Sequence, residues 1–376
     1  MFKSLTMATA LAAFGLLGAA NAESIKLGNV AELSGGGATV GQSWTDAINM
    51  GVDEINAAGG VLGMPLEITT YDSQTDAQVS RALVQKAIDD GAFMILGTVY
   101  SSSTIVNMLV TMQQGVPQVT GSSSPAITEK GNPFIFRTEL SAKKAMPRIV
   151  KYMDEVMGVK KVAISWVNNE FGKGGHDSFV EEMKARGIEV TADVSSEVGQ
   201  ADFAADVTKL KSSGADAIFV FLHEEESARM LKELRKQNIE VPVVGDNTLL
   251  NQKVIELADG AANGVIGHVS LTAEADTPEI QTFSKNFLAR YGYKADHNAM
   301  KGYAAIYTVA TVIERVGELD RQKVADMLHN TTINVADVPG ILLDSSWDDA
   351  GDLVRASFMV EVQDGKTIVK DELPAN

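Results

Sequence analysis

Short β-rich runs alternate with helical stretches along this chain, and the alternation constrains the fold more than any other feature of the sequence. In the first half, the runs IKLGNVA, LEITTY, AFMILG, VPQVT and FIFRT predict strands, and helices are expected at 41–58, 76–90 and 102–114. In the third helix, Ile105, Leu109 and Met112 recur at helical spacing and predict its apolar face. Strands joined through helices lie parallel, so the pattern predicts a Rossmann-like α/β lobe with helices on both faces of a parallel sheet.

The same alternation starts again in the second half of the chain. The predicted strands there are KKVAISWV, IEVTADV, DAIFVFL, VPVVG and GVIGHV, with helices at 173–186, 202–213, 225–237, 250–259, 276–291 and 296–316. The segment 341–369 predicts a β-ribbon. Two series of units predict two lobes with a parallel sheet each. Because no Pro/Gly/Ser-rich linker separates the series, we expect strands rather than a flexible tether to join the lobes.

The first 22 residues have the pattern of a secretory signal peptide. Lys3 gives a cationic start, ALAAFGLLGAA is an apolar core, and Ala20-Asn21-Ala22 has the small-x-small form of a cleavage site. The apolar core is shorter than the roughly 18 residues of a membrane span, so we expect cleavage after Ala22 and export to a bacterial periplasm. The chain has no cysteine, which excludes disulfides and a lipid anchor at the cleavage site.

The charge balance argues against one class of partner. The chain has 32 Lys and Arg against 49 Asp and Glu, a formal net charge of −17. A surface with this excess of acids repels phosphate backbones and anionic lipid, so we expect no nucleic-acid partner. The excess also favours solubility, and we expect a monomer.

Two serine clusters follow successive predicted strands, at the sheet edge where open parallel sheets bind ligands. Ser101 comes after AFMILG at the start of a predicted helix, and Ser122 and Ser123 take the equivalent place after VPQVT. A helix N-terminus presents unpaired N–H groups and a partial positive charge, which suits an anion. These hydroxyls can either cap their helices or donate to a bound carboxylate. Their repetition on neighbouring units favours a carboxylate site.

Other motifs depart from the patterns of enzymes and cofactor sites. There is no G-x-S-x-G elbow, and the five histidines define no metal-ligand spacing. SGGGATVG at 34–41 departs from G-x-G-x-x-G and predicts a tight strand-to-helix turn near a ligand, while FGKGG at 171–175 lacks the hydroxyl residue of a P-loop. DSSWDDAGD at 344–352 departs from the order of a calcium loop, and HEEES at 223–227 predicts a solvated helix start. We therefore expect no catalytic residues, no metal and no cofactor.

Several segments carry a resemblance to a known family. The run 33–104, which includes LSGGGATVG and TVYSSST, and the runs FIFRT, NNEFGKGG and ARMLKELRKQ resemble the leucine/isoleucine/valine-binding family of type I periplasmic binding proteins. These are solute receptors of branched-chain amino-acid ABC importers. The resemblance covers essentially the whole mature chain and implies two α/β lobes that close like a hinge on a solute. It places three crossovers near 139–142, 269–273 and 342–347, a first lobe at 24–140 and 272–343, and a second at 141–271 and 344–376.

The resemblance also implies which residues hold the solute. Ser101 and Ser123 would hold its carboxylate, with backbone groups of Gly121 and Ser122 beside them. The other implied wall positions are Val40, Val99, Tyr100, Phe171 and His223. At Val40 the family has an aromatic side chain, so this departure implies a roomier pocket wall.

The counter-ion for a ligand ammonium group stays open at the level of sequence. The amino-acid binders of the family place an acidic residue on the loop after the strand written here as VPVVG. Asn247 falls at that position, and Asp246 precedes it. If Asp246 points inward, it can pair with an α-ammonium group. If Asn247 points inward instead, the site prefers a carboxylate without an amine.

The implied function is binding of an amino acid, branched-chain or otherwise hydrophobic, in the cleft and its delivery to the membrane permease of an ABC importer. Two alternatives remain. One is the same fold binding a non-amino carboxylate such as an aromatic or keto acid. The other is a periplasmic ligand sensor for a membrane signalling protein. None of the three requires an enzyme.

Overall fold

The computed structural model describes residues 23–375, and the predicted signal peptide lies outside them. The first lobe contains the strands β1 (Ile25–Ala31), β2 (Leu66–Asp72), β3 (Met94–Leu96), β4 (Gln118–Thr120) and β5 (Ile135–Arg137), with the helices α1 (Ala38–Ala57), α2 (Ala77–Asp89) and α3 (Ser101–Gln114) between them. Every strand pair is parallel, in the order β2-β1-β3-β4-β5. The five strands and three helices predicted for the first half are confirmed.

The second lobe repeats this plan. Its strands are β6 (Lys161–Val167), β7 (Glu189–Ser196), β8 (Ala217–Phe221), β9 (Val243–Gly245) and β10 (Ile266–Val269), and its helices are α4 (Ala142–Glu155), α5 (Glu170–Ala185), α6 (Ala204–Ser212), α7 (Glu224–Lys236) and α8 (Gln252–Ala258). These five strands pair in parallel. The second series of βα units is therefore confirmed as well.

After β10 the chain forms three helices and three short strands. The elements that follow are α9 (Pro278–Tyr291), α10 (His297–Val316), α11 (Arg321–Leu328) and the short antiparallel strands β11 (Thr332–Ile333), β12 (Ser345–Trp347) and β13 (Leu353–Val354). Helix α10 packs along α1, and α11 was not predicted. Across 23–375, no helix combines the length and apolar character needed to cross a membrane. The lobe boundaries and crossover positions stay predictions.

The C-terminal segment completes the second sheet and makes it mixed. Strands β14 (Ser357–Gln363) and β15 (Lys366–Leu373) form an antiparallel hairpin, and β14 also pairs antiparallel with β10. The sheet order is β15-β14-β10-β9-β8-β6-β7. The predicted parallel sheet is confirmed for its five βα strands, and the ribbon predicted within 341–369 adds an antiparallel edge to it. The reason for the antiparallel hairpin is the two-residue turn at Asp364 and Gly365, with φ of 49° and 75°, because so short a connection joins only antiparallel strands.

Helix α3 buries polar side chains beside Met108 and Val110, and two of the three residues of the predicted apolar face are exposed. Leu109 and Met112 are 48% and 41% exposed. The buried side includes Asn107, whose Nδ2 donates to Ser80 Oγ at 2.8 Å, and Thr111. Thr111 Oγ1 donates to Gln118 Oε1 at 3.1 Å, whereas Asn107 Oδ1 has no hydrogen-bond partner in the described chain. Helical spacing alone therefore did not identify the packed face.

Trp44 holds α1 against β1 and the loop after β4. The side chain is fully buried, and its Nε1 donates to Asn29 Oδ1 at 3.0 Å. Its ring also packs against Gly121, where a Cβ atom would lie 2.9 Å from Cζ3. A larger residue at Gly121 would have to displace a buried indole, so glycine lets this loop approach α1 closely.

Candidate ligand-binding site

A cavity lies between the lobes. It is lined by loops that follow the C-terminal ends of strands in both sheets. The lining contains every residue predicted for the site except Ser122: Val40, Val99, Tyr100, Ser101, Gly121, Ser123, Phe171, His223, Asp246 and Asn247. It also contains residues that were not predicted: Glu139, Glu224, Thr248, His297, Asn298 and Lys301.

The N-terminus of α3 forms one wall of the cavity. The Glu32 carboxylate accepts the backbone N–H groups of Val99 and Tyr100 at 3.3 and 3.0 Å. Within the described chain, the next amides, those of 101–103, donate to no protein acceptor. They are free to bind an anion with the help of the helix dipole. Tyr100, not Ser101, takes the cap position and makes no side-chain cap bond, so the interpretation of Ser101 as a helix cap is wrong.

The second serine cluster differs from the first. It precedes a short 3-10 turn, Pro125–Ile127, and not an α-helix, so the two clusters are not structurally equivalent as predicted. Ser123 lines the cavity. Ser122 Oγ instead donates to the Val99 carbonyl at 2.7 Å and lies 2.7 Å from Thr104 Oγ1. The Ser122 side chain therefore ties the two loops together behind the cavity.

The motif SGGGATVG forms the predicted turn between strand and helix. Gly35 has a φ of 79° and begins a 3-10 turn that leads into α1. Val40, in the first turn of α1, is buried and lines the cavity. The predicted tight turn is confirmed, and it leads to the cavity.

An aromatic stack crosses from the second lobe to the first. The ring of Phe171 stacks on His223 at 5.1 Å between centroids, and His223 stacks on Tyr100 at 4.5 Å. Asn169 Oδ1 accepts the N–H of Gly172, so its Nδ2 donates to His223 Nε2, 2.7 Å away. Burial lowers the pKa of His223 to about 4. The ring is therefore neutral near pH 7 and carries its proton on Nδ1.

Asp246 and Asn247 both line the cavity, but their side chains are engaged differently. Asn247 Oδ1 accepts the N–H of Ser270 at 2.8 Å, which ties it to the chain that leaves β10. Asp246 is 6% exposed and accepts the N–H of Thr248 at 3.1 Å. Burial raises its pKa to about 7. Lys301, which acts on Asp246 through its charge, pairs with Glu139 instead. Asp246 is thus a buried carboxyl suited to a ligand cation.

A buried ion pair forms the floor near the predicted hinge. Lys301 Nζ lies 3.4 Å from Glu139 Oε2, with the side chains 4% and 2% exposed. Burial by itself would raise the pKa of Glu139, but Lys301 and other nearby charges bring it below its ordinary value. The backbone carbonyl of Lys301 accepts from Thr138 Oγ1 at 2.9 Å. One signal in the sequence was available for this pair, a single lysine within the apolar run of α10.

The segment HEEES is not the solvated helix start that was predicted. Only Glu225 is exposed, where it pairs with Arg229 at 2.6 Å. Glu226 is buried and accepts the N–H of Gly199 at 2.6 Å. Glu224 is 8% exposed, lines the cavity, and has a buried Oε2 atom without a hydrogen-bond partner in the described chain. Burial raises its pKa to about 8.

Three acids of DSSWDDAGD bond with protein groups: Asp344, Asp348 and Asp352. Asp348 Oδ2 lies 2.8 Å from Lys144 Nζ, and Asp352 Oδ2 lies 3.3 Å from the same nitrogen. Asp348 Oδ1 also accepts backbone N–H groups of its own loop, including that of Ala350. Their density in the sequence thus reflects a salt-bridged turn.

Comparison with known proteins agrees with this geometry. A family model described as periplasmic binding protein matches residues 24–367. A leucine-, isoleucine-, valine-, threonine- and alanine-binding protein of Pseudomonas aeruginosa is 28% identical over 340 residues, 90% of this chain and 90% of its own length. A solved leucine-binding protein from Thermotoga maritima aligns with a TM-score of 0.86 at 20% identity, over 93% of this chain and 99% of its own. A Rhodopseudomonas palustris solute-binding protein in complex with benzoate gives 0.86 at 20% identity, over 94% and 98%.

Proposed function

The chain belongs to the periplasmic binding protein family, and we propose that it is the solute receptor of an ABC importer, binding an amino acid between its lobes for delivery to a membrane permease. We propose further that it acts as a monomer in the periplasm after removal of residues 1–22. The names of its relatives support this function, since the Pseudomonas aeruginosa protein is named for the amino acids that it binds.

The observation that carries the proposal is the presence of opposite chemistries across one cavity. The first lobe offers the free amides at the start of α3 and the hydroxyls of Ser101 and Ser123, which suit a carboxylate. The second lobe offers the buried carboxyl of Asp246, which suits an ammonium group. An α-amino acid carries both groups on one carbon atom and can therefore bridge the lobes.

The mechanism needs only binding and closure. The solute carboxylate first binds the amides and hydroxyls of the first lobe. Closure then brings Asp246 to the ammonium group and excludes water, which strengthens both polar contacts. The solute stabilises the closed form because it binds that form more tightly than the open one. The aromatic contact between Tyr100 and His223 adds a direct attraction between the lobes.

The test is a calorimetric titration of the mature protein after unfolding, dialysis and refolding have removed co-purified solute. Each amino acid is paired with its amine-free counterpart: leucine with isocaproate, and phenylalanine with hydrocinnamate. We expect binding of amino acids and at least about 100-fold weaker binding of the matched acids, because they leave Asp246 without a partner. Equal or tighter binding of the amine-free acids would overturn the role of Asp246.

A non-amino carboxylate is the second candidate, and one observation favours it. Lys301 lines the cavity, and its Cε atom lies 3.2 Å from the position that a Cβ of Gly121 would take. Its ammonium group therefore lies near the loop that we assign to the ligand carboxylate, where it can serve an acid without an amine. The same titration decides between the two candidates.

A further inference from the structure

We propose that the solute carries a second positive charge, bound by Glu224, so that the site prefers amino acids with a cationic side chain over neutral ones of the same shape. This inference rests on the proposed function, because it assigns the α-carboxylate and α-ammonium groups to the contacts given above. It adds a specificity-determining residue and the chemical class of the ligand side chain.

Glu224 has the features of a ligand-binding carboxylate. It is the first residue of α7, it is 8% exposed, and it lines the cavity. Its Oε2 atom is buried without a hydrogen-bond partner in the described chain. A buried acceptor without a partner is costly, and a buried charge without one is more so. A hydrocarbon side chain in the cavity would leave this cost in place, whereas an ammonium or guanidinium group would remove it.

The charges of the cavity lining also favour a cationic ligand side chain. Three carboxyl groups line it, those of Glu139, Glu224 and Asp246, against one ammonium group, that of Lys301. The lining histidines do not restore the balance, because burial lowers the pKa values of His223 and His297 to about 4. Lys301 compensates Glu139, and a ligand α-ammonium group would compensate Asp246. Glu224 is the carboxyl that remains, and a second ligand cation would balance it.

Asp246 and Glu224 lie on different loops of the second lobe, after β9 and at the start of α7, and the charge of Lys301 acts on both. The charges that act most on Asp246 are those of Glu139 and Lys301, near the predicted hinge. Glu224 lies by the aromatic stack: burial raises the pKa of Tyr100, and among the charges Glu224 raises it most. Carboxylates combined with aromatic faces are a favourable environment for a cation. The ligand side chain would extend from the hinge toward Tyr100.

The experiment uses isosteric ligand pairs on the refolded, solute-free protein. Ornithine and norleucine differ by an ammonium group in place of a methyl group, and arginine and citrulline differ by a guanidinium group in place of a urea group. We expect the cationic member of each pair to bind about 10- to 100-fold more tightly, the usual size of a charge-assisted contact. Glu224→Gln should bring both ratios close to one. Glu225→Gln, at the exposed neighbouring position, should keep them.

The outcomes separate this inference from the proposed function. If norleucine or leucine binds as tightly as ornithine, or if Glu224→Gln leaves the ratio unchanged, the inference is wrong while the amino-acid function stands. If no amino acid binds, both are wrong. Asp246→Asn should weaken both members of a pair equally and keep their ratio. The wild-type ratios need no variant, so a misfolded Glu224→Gln protein would not leave the inference untested.

Discussion

The two walls of the cleft differ in the chemical groups that they present to the cavity. In the first lobe, the Ser122 hydroxyl bonds to a neighbouring loop, and the Glu32 carboxylate accepts two backbone amides. This wall presents backbone groups and neutral hydroxyls to the cavity, and its two charged side chains there, Lys301 and Glu139, pair with each other. In the second lobe, Asp246 and Glu224 are buried carboxyls with raised pKa values.

This difference suggests that one lobe supplies affinity and the other supplies selectivity. A rigid wall of amides and hydroxyls recognises a carboxylate, which every amino acid carries, so it contributes affinity without selecting a side chain. Buried carboxyls are favourable only when a matching cation arrives. The second wall would therefore couple closure to the presence of the correct solute. The predictions below test this comparison, beginning with the largest expected effect.

The first prediction concerns pH and closure. Burial raises the pKa of Asp246 from 3.8 to about 7 and that of Glu224 from 4.5 to about 8. Opening the cleft would hydrate both groups and return their pKa values toward the ordinary range. The closed form then holds protons that the open form releases. The closed form is therefore most stable relative to the open form below the ordinary pKa values. This stability decreases as the pH rises toward 8. The ionisation of Asp246 alone accounts for about 4 kcal/mol of this decrease.

Small-angle scattering of the solute-free protein at about pH 5 and about pH 8 would measure this shift in closure. We expect a larger radius of gyration at the higher pH. The double variant Asp246→Asn, Glu224→Gln should lose the dependence, because neither side chain can titrate. A wild-type radius that stays constant would mean that the second wall does not oppose closure, and the comparison between the walls would fail.

The second prediction removes the charge of Asp246 without changing its size. Asp246→Asn should weaken amino-acid binding by about 100-fold or more, because the ligand ammonium group would then be buried without its counter-ion. Titration calorimetry provides the measurement. Asp364→Asn, at the exposed tip of the C-terminal hairpin, is the matched control and should bind normally. Unchanged affinity in Asp246→Asn would show that Asp246 is not the counter-ion of the ligand ammonium group.

The sequence could predict the first wall much better than the second. Ser101, Gly121 and Ser123 follow strands whose order is readable from the βα alternation, and parallel strands bring their C-terminal ends to one edge. The burial of Glu224 depends on tertiary packing, which no local pattern reports. In isolation, three successive glutamates at a helix start indicate solvent, yet Glu224 and Glu226 are buried in the folded chain.

Helix α3 illustrates a second limit of sequence patterns. Its apolar residues recur at helical spacing, yet Leu109 and Met112 face solvent while Asn107 and Thr111 are buried. Periodicity identifies the faces of a helix but not which of them packs against the protein. Hydrogen bonds such as that from Asn107 to Ser80 allow polar side chains to be buried. Lys301 was not predicted as a site residue because its helix is largely apolar, a pattern that indicates only a helix of the hydrophobic core.

The third prediction tests the first wall. Ser101→Ala should weaken every carboxylate ligand by about 1–3 kcal/mol, whatever its side chain, because a buried charged group loses one hydrogen-bond partner. Ser102→Ala is the matched control, since Ser102 is the next residue of α3 and does not line the cavity. A loss that differed between ornithine and norleucine would contradict the idea that this wall ignores the side chain. Calorimetry on both variants gives the answer.

The fourth and smallest effect is expected where the two walls touch. Tyr100 stacks on His223 across the cleft, and such an aromatic pair contributes about 0.5–1.5 kcal/mol. Tyr100→Leu should therefore weaken binding a few-fold, and mainly through a faster dissociation rate, because the contact forms only on closure. Tyr100→Phe keeps the ring and removes the hydroxyl, so it should dissociate like the wild type. Stopped-flow dissociation would separate the variants. If the loss instead appeared in the association rate, the aromatic stack would contribute to the initial binding of the solute and not to closure. The aromatic residues would then share the role of the first wall.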